Sequence, residues 1–297
     1  MDDEANGSDQ DEAAREFAEH RPALVSVAYR LLGSVADAED AVQEAWLRWS
    51  ERRPDDVENP RAYLIKVTSR LAIDRLRRNQ ARREAYIGPW LPEPFPTTAD
   101  AADDVVLAES LSVAFMLVLE TLSPLERAVY VLREAFEFPY AEIAGVLGSN
   151  EAAVRQVARR ARSHVSARRP RFDLDHQVRL EVTERFMAAC ETADFASLLD
   201  VLAPGVVLVS DGGGQARGPR RPIEGAAKVM RFFLGIVDYP VPDLGFRMAE
   251  LNGGPGLIVT SRGVPITTFV LELEDGLVQR INVIANPNKL ARLRLDG

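Results

Sequence analysis

Arginine and lysine side chains, which bind phosphate oxygens, are concentrated in two short segments of this chain. Residues 60–83 hold eight Arg or Lys against Asp74 alone, and residues 150–171 hold seven Arg against Glu151 alone. The connecting residues 84–109 carry six acids and no base, and the whole chain has a net charge of −9. This segregation predicts two separate phosphate-binding surfaces. The simpler alternative is that each segment is only a solvated helix face.

The second basic segment has the pattern of a helix-turn-helix. Residues 139–162 read PYAEIAGVLGSNEAAVRQVARRAR. Gly148 allows the tight turn, and Ser149 or Asn150 can cap the second helix. The apolar residues that should pack the two helices together are Ile143, Ala144, Leu147, Val154 and Val157. A generic helical hairpin explains these positions, but it does not explain the polar side chains that the second helix exposes: Arg155, Gln156, Arg159, Arg160 and Arg162. We interpret this motif as DNA-binding.

The first basic segment is predicted to be a helix that Asn59-Pro60 opens and that runs to about Arg83. Its side chains for a phosphate backbone are Arg70, Arg75, Arg77, Arg78 and Asn79, and Asp74 among them either orients an arginine or contacts a base edge. The preceding helix, 37–49, presents an acidic face for a basic partner. The candidate binding residues on it are Asp37, Glu39, Asp40, Gln43, Glu44, Trp46 and Leu47, although Trp46 and Leu47 fit a core role equally well.

These segments, DAEDAVQEAWLRW (37–49) and NPRAYLIKVTSRLAIDRLRRNQARR (59–83), resemble the extracytoplasmic-function sigma factors. The resemblance implies that the first segment binds bacterial core RNA polymerase and that the second binds and opens the −10 promoter element. Residues 52–61 are the candidate loop for captured bases. Residues 108–168 resemble the family's second DNA-binding domain, which reads the −35 element. The resemblance covers about half of the chain, in the expected order.

Beyond residue 170 the pattern predicts a separate α+β domain. Two helices, about 176–191 and 194–202, precede the β-rich runs VVLVS (206–210), LIVTS (257–261), TTFVLELE (267–274) and LVQRINVIA (277–285). Asp275-Gly276, between the last two runs, signals a hairpin. We expect a curved antiparallel sheet packed against helices. This tail resembles the SnoaL-like, NTF2-like cone fold.

Three strings are similar to those of the sigma-factor subgroup that carries such a tail: WLPEP (90–94), DGGG (211–214) and NPNKL (286–290). Asn288 departs from that pattern, which has an acid at this position. The resemblance implies regulation of the sigma domains in cis, and we expect the strings to form one interdomain contact. Its residues are Trp90, Leu91, Pro92, Glu93, Pro94, Asp211, Gly212, Gly213, Gly214, Asn286, Pro287, Asn288, Lys289 and Leu290.

The expected fold is therefore multidomain, with two all-α helical domains and a C-terminal α+β NTF2-like cone. The predicted boundaries are an acidic disordered tail (1–11), the first helical domain (12–83), a Pro-rich linker (84–107), the second helical domain (108–170) and the cone domain (171–297). We expect a cytoplasmic, non-enzymatic protein with no cofactor, no metal and no membrane partner, since Cys190 is the single cysteine and the histidines are scattered.

Three alternatives to the leading interpretation remain at this point. The chain could be a ligand-responsive helix-turn-helix regulator that works beside the polymerase. It could also be an NTF2-like enzyme with a helical appendage. Finally, the C-terminal domain could bind an unknown small ligand without turning it over.

Overall fold

The secondary structure changes from helices to a sheet at the end of the second basic segment. In the computed structural model, the structure describes residues 2–51, 57–97, 111–168, 175–237 and 239–293. The chain divides into two units, the first formed by Met1–Arg82 with Val118–Arg168 and the second by Arg83–Leu117 with Arg169–Gly297. The two helical segments that the sequence predicts as separate domains therefore lie in one unit. The described part of the predicted linker belongs to the other unit.

The first unit is helical. Its elements are α1 (Asp2–Leu32), α2 (Val35–Glu51), α3 (Pro60–Glu84), the end of α4 (Val113–Glu120), α5 (Pro124–Tyr130), a π-helical turn (Val131–Ala135), α6 (Tyr140–Leu147) and α7 (Glu151–Arg168). An apolar face of α1 forms its core, with Leu24, Val27 and Leu31 fully buried. Trp49 joins α2 to α1, because its buried indole donates a hydrogen bond to the Ala13 carbonyl.

Helix α1 begins at Asp2, where the sequence analysis expects a disordered tail over 1–11. The backbone of residues 2–11 thus continues the helix of the first helical domain.

Local capping fixes the helix starts that the sequence predicts. The Ser34 hydroxyl accepts a hydrogen bond from the Asp37 amide, and Asn59 caps α3 through the Ala62 amide. Asn150, one of the two predicted caps, accepts from the Ala153 amide at 2.9 Å. Gly148 ends α6 in the left-handed conformation, at φ 62°. The helix-turn-helix therefore follows the predicted spacing.

The second unit is an α+β domain. Its helices, besides the first part of α4, are α8 (His176–Thr192), α9 (Phe195–Leu199), α10 (Ala226–Val237) and α11 (Pro287–Leu290). Its strands are β1 (Leu202–Asp211), β2 (Ile223–Glu224), β3 (Leu244–Glu250), β4 (Pro255–Ser261), β5 (Val264–Glu274) and β6 (Leu277–Ile284). They form one sheet in the order β2-β1-β6-β5-β4-β3.

The alternation of side chains along each strand creates two apolar faces. The first face carries residues such as Phe269 and Ile281, which pack with Phe186 of α8 and Phe233 of α10. The opposite face, which we call the outer face, carries its own apolar cluster, including Val270. Register shifts within the β1–β6, β4–β5 and β5–β6 pairs mark irregularities that bend the sheet.

The sheet confirms the predicted runs β1, β4, β5 and β6, and the hairpin at Asp275-Gly276, where both residues have positive φ. The expectation of a purely antiparallel sheet is wrong, because β1 pairs with β6 in parallel. The intervening α10 and strands β2–β5 supply the long connection that a parallel pair requires. Helix α10 and strands β2 and β3 were not predicted.

Candidate functional site

The acidic helix α2 presents part of its predicted binding face to solvent. Asp40, Gln43 and Leu47 are exposed, and Leu47 is 52% accessible. Their spacing of three and four residues places them on one stripe of the helix. Trp46 is half-buried, with its ring 5.1 Å from that of Phe17. The exposed stripe thus combines a charge, an amide and an apolar side chain.

Other predicted residues of α2 also have intramolecular partners. The Asp37 carboxylate accepts a hydrogen bond from Asn79 Nδ2 at 2.8 Å, and its carbonyl accepts one from Arg75. Glu44 pairs with Arg48 at 2.9 Å on the same helix. Glu39 lies 3.9 Å from Arg21. Asp37 therefore positions α3 against α2.

Helix α3 divides its predicted phosphate-binding residues into two sets. Arg77 and Arg78 are exposed beside Asp74, whose carboxylate accepts from Arg77 at 3.4 Å and whose carbonyl accepts from Arg78. Of the two roles considered for Asp74, this contact is the orientation of an arginine. Arg75 and Asn79 face α2 instead. The predicted loop at 52–61 has residues 52–56 outside the described part of the chain.

Arg70 contacts the helix-turn-helix of the same unit. Its Nε donates to the Val146 carbonyl at 3.1 Å, and its Nη2 donates to the Gly145 carbonyl at 2.5 Å. These carbonyls lie at the C-terminal end of α6, where the helix dipole is negative and favours a cation. In this arrangement Arg70 is bound by protein carbonyls.

Helix α7 separates an apolar face from a basic one, as predicted. Val154 and Val157 are buried against the unit. The five polar residues predicted for nucleic acid are all exposed: Arg155, Gln156, Arg159, Arg160 and Arg162. Arg155 and Arg162 contact Tyr140 of α6. The helix therefore carries a solvent-accessible set of donors.

Residues 86–97, which we call the strap, lie against the outer face of the sheet. Two buried polar residues, Asp211 and Asn252, hold the strap at separate points along its length. Leu91, whose backbone amide donates to Asp211, is 1% exposed, and its side chain packs with Ile258 and Val270 of the sheet. Trp90 is half-buried.

The Asp211 anchor is a fully buried carboxylate with four hydrogen-bond donors. The Tyr86 hydroxyl donates at 2.5 Å, the Leu91 amide at 2.8 Å, the Gly213 amide at 3.1 Å and Lys289 Nζ at 2.7 Å. Burial, together with the hydrogen bond to Asp211, raises the pKa of Tyr86 well above its usual range. The phenol therefore stays a donor at neutral pH.

Lys289 supplies the cation for this buried anion. Its side chain is 8% exposed, and Nζ also donates to the Leu91 carbonyl. The ammonium lies 4.2 Å from the ring centroid of Trp90 and 5.2 Å from that of Tyr86. Such cation–π contacts are strongest where water is excluded. One lysine of α11 thus contacts the strap through a charge, a hydrogen bond and two aromatic rings.

The glycines of the string DGGG (211–214) have no side chain, which allows the strap and Asn286 to approach closely. Gly213 has φ +57°, and a Cβ added there would lie 2.2 Å from Asn286 Nδ2. That amide nitrogen donates to the Tyr86 hydroxyl at 2.7 Å. A side chain at Gly214 would contact Ile87 of the strap. The three strings predicted to meet do meet, all within the second unit.

The Asn252 anchor holds the other end of the strap. Its side-chain oxygen accepts from the Phe95 backbone amide at 3.2 Å, and its backbone amide donates to the Phe95 carbonyl at 2.8 Å. Its Nδ2 donates to the Leu111 carbonyl. Asn252 is fully buried with φ 54°, a conformation that asparagine tolerates better than most residues.

Comparison with known proteins decides the family. The Sigma-70 region 2 model matches residues 17–82, and the Sigma-70 region 4 model matches residues 112–165. The ECF RNA polymerase sigma factor SigJ of Mycobacterium tuberculosis is 43% identical over 288 residues, which are 92% of each chain. The chain belongs to the extracytoplasmic-function sigma factors. The probable ECF sigma factor SigI of the same species is 32% identical over 292 residues, covering 97% of this chain and 98% of that one.

The solved crystal structure of M. tuberculosis SigJ matches the whole architecture, with a TM-score of 0.73 and 40% identity. It covers 94% of this chain and 98% of that one. This sigma factor therefore acts in transcription initiation, and the predicted fold class is confirmed. In the described parts of the chain, no helix is long and apolar enough to cross a membrane.

Sequence reasoning missed two residues that hold the strap in this sigma factor. Tyr86 stands outside WLPEP, and only its position just before a Gly-Pro turn could have drawn attention to it. Asn252 precedes Gly253-Gly254, which is a turn signal rather than a docking signal. Both residues act through contacts with segments over a hundred residues away, which no local pattern reveals.

Proposed function

We propose that this sigma factor binds core RNA polymerase through α2 and contacts promoter DNA through α3 and α7. Support for the polymerase surface comes from the exposed stripe Asp40, Gln43 and Leu47. A basic partner surface would be attracted by the acid and would bury the leucine. The predicted contact residues Asp37, Glu39, Glu44 and Trp46 flank this stripe, and Asp37 also positions α3.

For the promoter, we assign the −10 element to α3 and the −35 element to α7. Exposed Arg77 and Arg78 can bind phosphates directly, whereas Arg70 must first leave the carbonyls of Gly145 and Val146. The observed arrangement of the first unit therefore competes with phosphate binding by Arg70. Binding of the −10 element should shift the equilibrium toward a state in which α3 and α6 separate.

The C-terminal unit, in this proposal, regulates the sigma domains by holding the strap. Along the chain the strap lies between α3 and α4, so it joins the segments that we assign to the two promoter elements. The observation that carries the proposal is the buried contact of Lys289 with both Asp211 and the Leu91 carbonyl. A buried ion pair constrains geometry strongly, because breaking it leaves a charge without a partner.

We propose no catalytic step for the C-terminal unit. Among its described residues, two buried carboxylates are engaged internally: Asp211 binds the strap, and Glu272 binds Asn282 and Arg280. A turnover found with the purified full chain on a small-molecule panel would contradict this part.

Run-off transcription with purified bacterial core polymerase tests the proposal. The full chain should direct specific initiation, and Lys289→Met should change the yield while Lys228→Met, at an exposed lysine of α10, leaves it unchanged. If Lys289→Met and Lys228→Met give the same transcript yield, the proposed regulatory role of the Lys289 contact is refuted. If the wild-type chain binds duplex DNA but neither binds core nor starts transcripts, the regulator alternative replaces the sigma assignment at these surfaces.

A further inference from the structure

Three arginines meet around Tyr140, the first residue of α6. The guanidinium carbon of Arg133 lies 4.8 Å from the centre of the phenol ring, and that of Arg155 lies 4.7 Å from it. Arg162 donates from Nη2 to the phenol oxygen at 2.8 Å. These arginines come from the π-helical turn and from two successive turns of α7. Tyr140 therefore links the start of α6 to the exposed face of the recognition helix.

Carboxylates and carbonyls fix the orientation of each arginine. Glu151 accepts from both Nε and Nη2 of Arg155, with the Nε contact at 3.0 Å. Glu134 lies 3.6 Å from Nε of Arg162, and Arg133 donates to the Phe138 carbonyl at 3.0 Å. Three like charges around one ring would otherwise repel each other. These contacts hold the cluster together and restrict the rotamers of the arginines.

The contacts leave one edge of Arg155 free. A guanidinium has a fork at Nε and Nη2 and a second fork at Nη1 and Nη2. In Arg155 the first fork faces Glu151 and the guanidinium carbon lies over the Tyr140 ring, so the second fork remains for a ligand. The side chain is 60% exposed, in the first turns of α7. A second fork held in this way matches the O6 and N7 acceptors of guanine in the major groove.

We infer that Arg155 reads a guanine of the −35 element and that Tyr140 is a positioning residue for it. This inference rests on the proposed assignment of α7 to the −35 element. Arg159 and Arg160 are exposed on the same helix, and neither is held between a carboxylate and a ring of the described residues as Arg155 is held. Exposed arginines of that kind bind phosphates, which carry no sequence information. Sequence discrimination at one base pair should therefore depend on Tyr140 and Arg155 together.

The test uses holoenzyme made from the full chain and core polymerase, and selects binders from promoters with a randomised −35 element. The wild-type chain should enrich a guanine at one position. Arg155→Lys, which keeps the charge but loses the fork, should lower that preference about tenfold. Tyr140→Leu should lower it about fivefold, and Tyr140→Phe, which keeps the ring, should stay within about twofold of wild type. Tyr239→Leu is the matched control, an exposed tyrosine of the second unit with Arg217 over its ring.

Two further measurements keep the outcomes distinct. Affinity for non-specific DNA at fixed salt should be unchanged in Tyr140→Leu, which shows that the domain is folded and that only discrimination is lost. If that variant does not fold, Glu151→Gln loosens Arg155 at an exposed site and should lower the guanine preference about threefold. If Tyr140→Leu, Arg155→Lys or, in place of the first, Glu151→Gln keeps the wild-type preference for guanine, the inference is overturned. Absence of any −35 enrichment by the wild-type chain overturns the proposed assignment of α7 itself, and the inference with it.

Discussion

Replacement of Lys289 by methionine is expected to loosen the strap. The Asp211 side chain is fully buried and that of Lys289 is 8% exposed. Lys289 Nζ lies 2.7 Å from Asp211 Oδ2. Removing one partner of a buried pair costs about 3–5 kcal/mol, because the remaining charge has no counterion. Asp211 keeps the donors Tyr86, Leu91 and Gly213, so we expect a cost near the lower end, about 3 kcal/mol.

Hydrogen exchange of the full chain measures this local effect directly. A loss of about 3 kcal/mol corresponds to roughly a hundredfold faster exchange of strap amides that open locally. The Leu91 amide is the most informative, since it donates to Asp211. Lys228→Met, on an exposed lysine, is the control and should leave strap exchange at its wild-type rate. The double variant Lys289→Met, Asp211→Asn should recover part of the protection, because it removes the unpaired charge.

Two results would refute this reasoning. One is a strap that exchanges at the wild-type rate in Lys289→Met, which would mean that the apolar contacts of Leu91 hold it alone. The other is a double variant whose loss equals the sum of the single losses, which would mean that Asp211 and Lys289 do not interact energetically. Either result would also remove the support that this ion pair gives to regulation in cis.

Three other predictions concern single side chains. Burial raises the pKa of Glu272 to about 7, so its contribution to stability is complete below about pH 4.5 and is lost as the pH rises through 7. Thermal melts should show this trend in wild type and in the exposed control Glu274→Gln but not in Glu272→Gln, and the same trend in all three would contradict it. Asn252→Gly keeps the backbone conformation but loses the side-chain bonds, so exchange of the Phe95 amide should rise about tenfold, and Asn252→Ala should raise it further through strain; unchanged exchange would exclude this anchor. Arg77→Gln should reduce the slope of log affinity for promoter DNA against log salt by about one, whereas an unchanged slope would place Arg77 away from phosphate.

The helical unit could be predicted from sequence in most of its detail because its signals are local. Gly148, Asn150 and the period of Val154 and Val157 each act within one or two turns. Pairing of β1 with β6 could not be predicted, because parallel pairing depends on contacts between segments about seventy residues apart.

The site shows the same division between local and distant signals. Arg155 and its neighbours were predicted as exposed because one helix determines their exposure. Their dependence on Tyr140 was not, since it requires the crossing of two helices and a π-helical turn that places Arg133. The three strings of the strap contact were predicted from resemblance. Only the structure shows that Lys289 and Asp211 of these strings form a buried ion pair.

The strap explains why the outer face of the sheet can be apolar in this sigma factor. Leu91 packs there with Ile258, Val270 and Ile284, so a released strap would expose a contiguous apolar surface. Exposed apolar area of that kind is unfavourable in water. Breaking the polar anchors should therefore loosen the strap without detaching it, and full release requires another surface to cover the sheet. The proposed regulation through this contact would then depend on competition for the outer face as well as on the ion pair of Lys289 with Asp211.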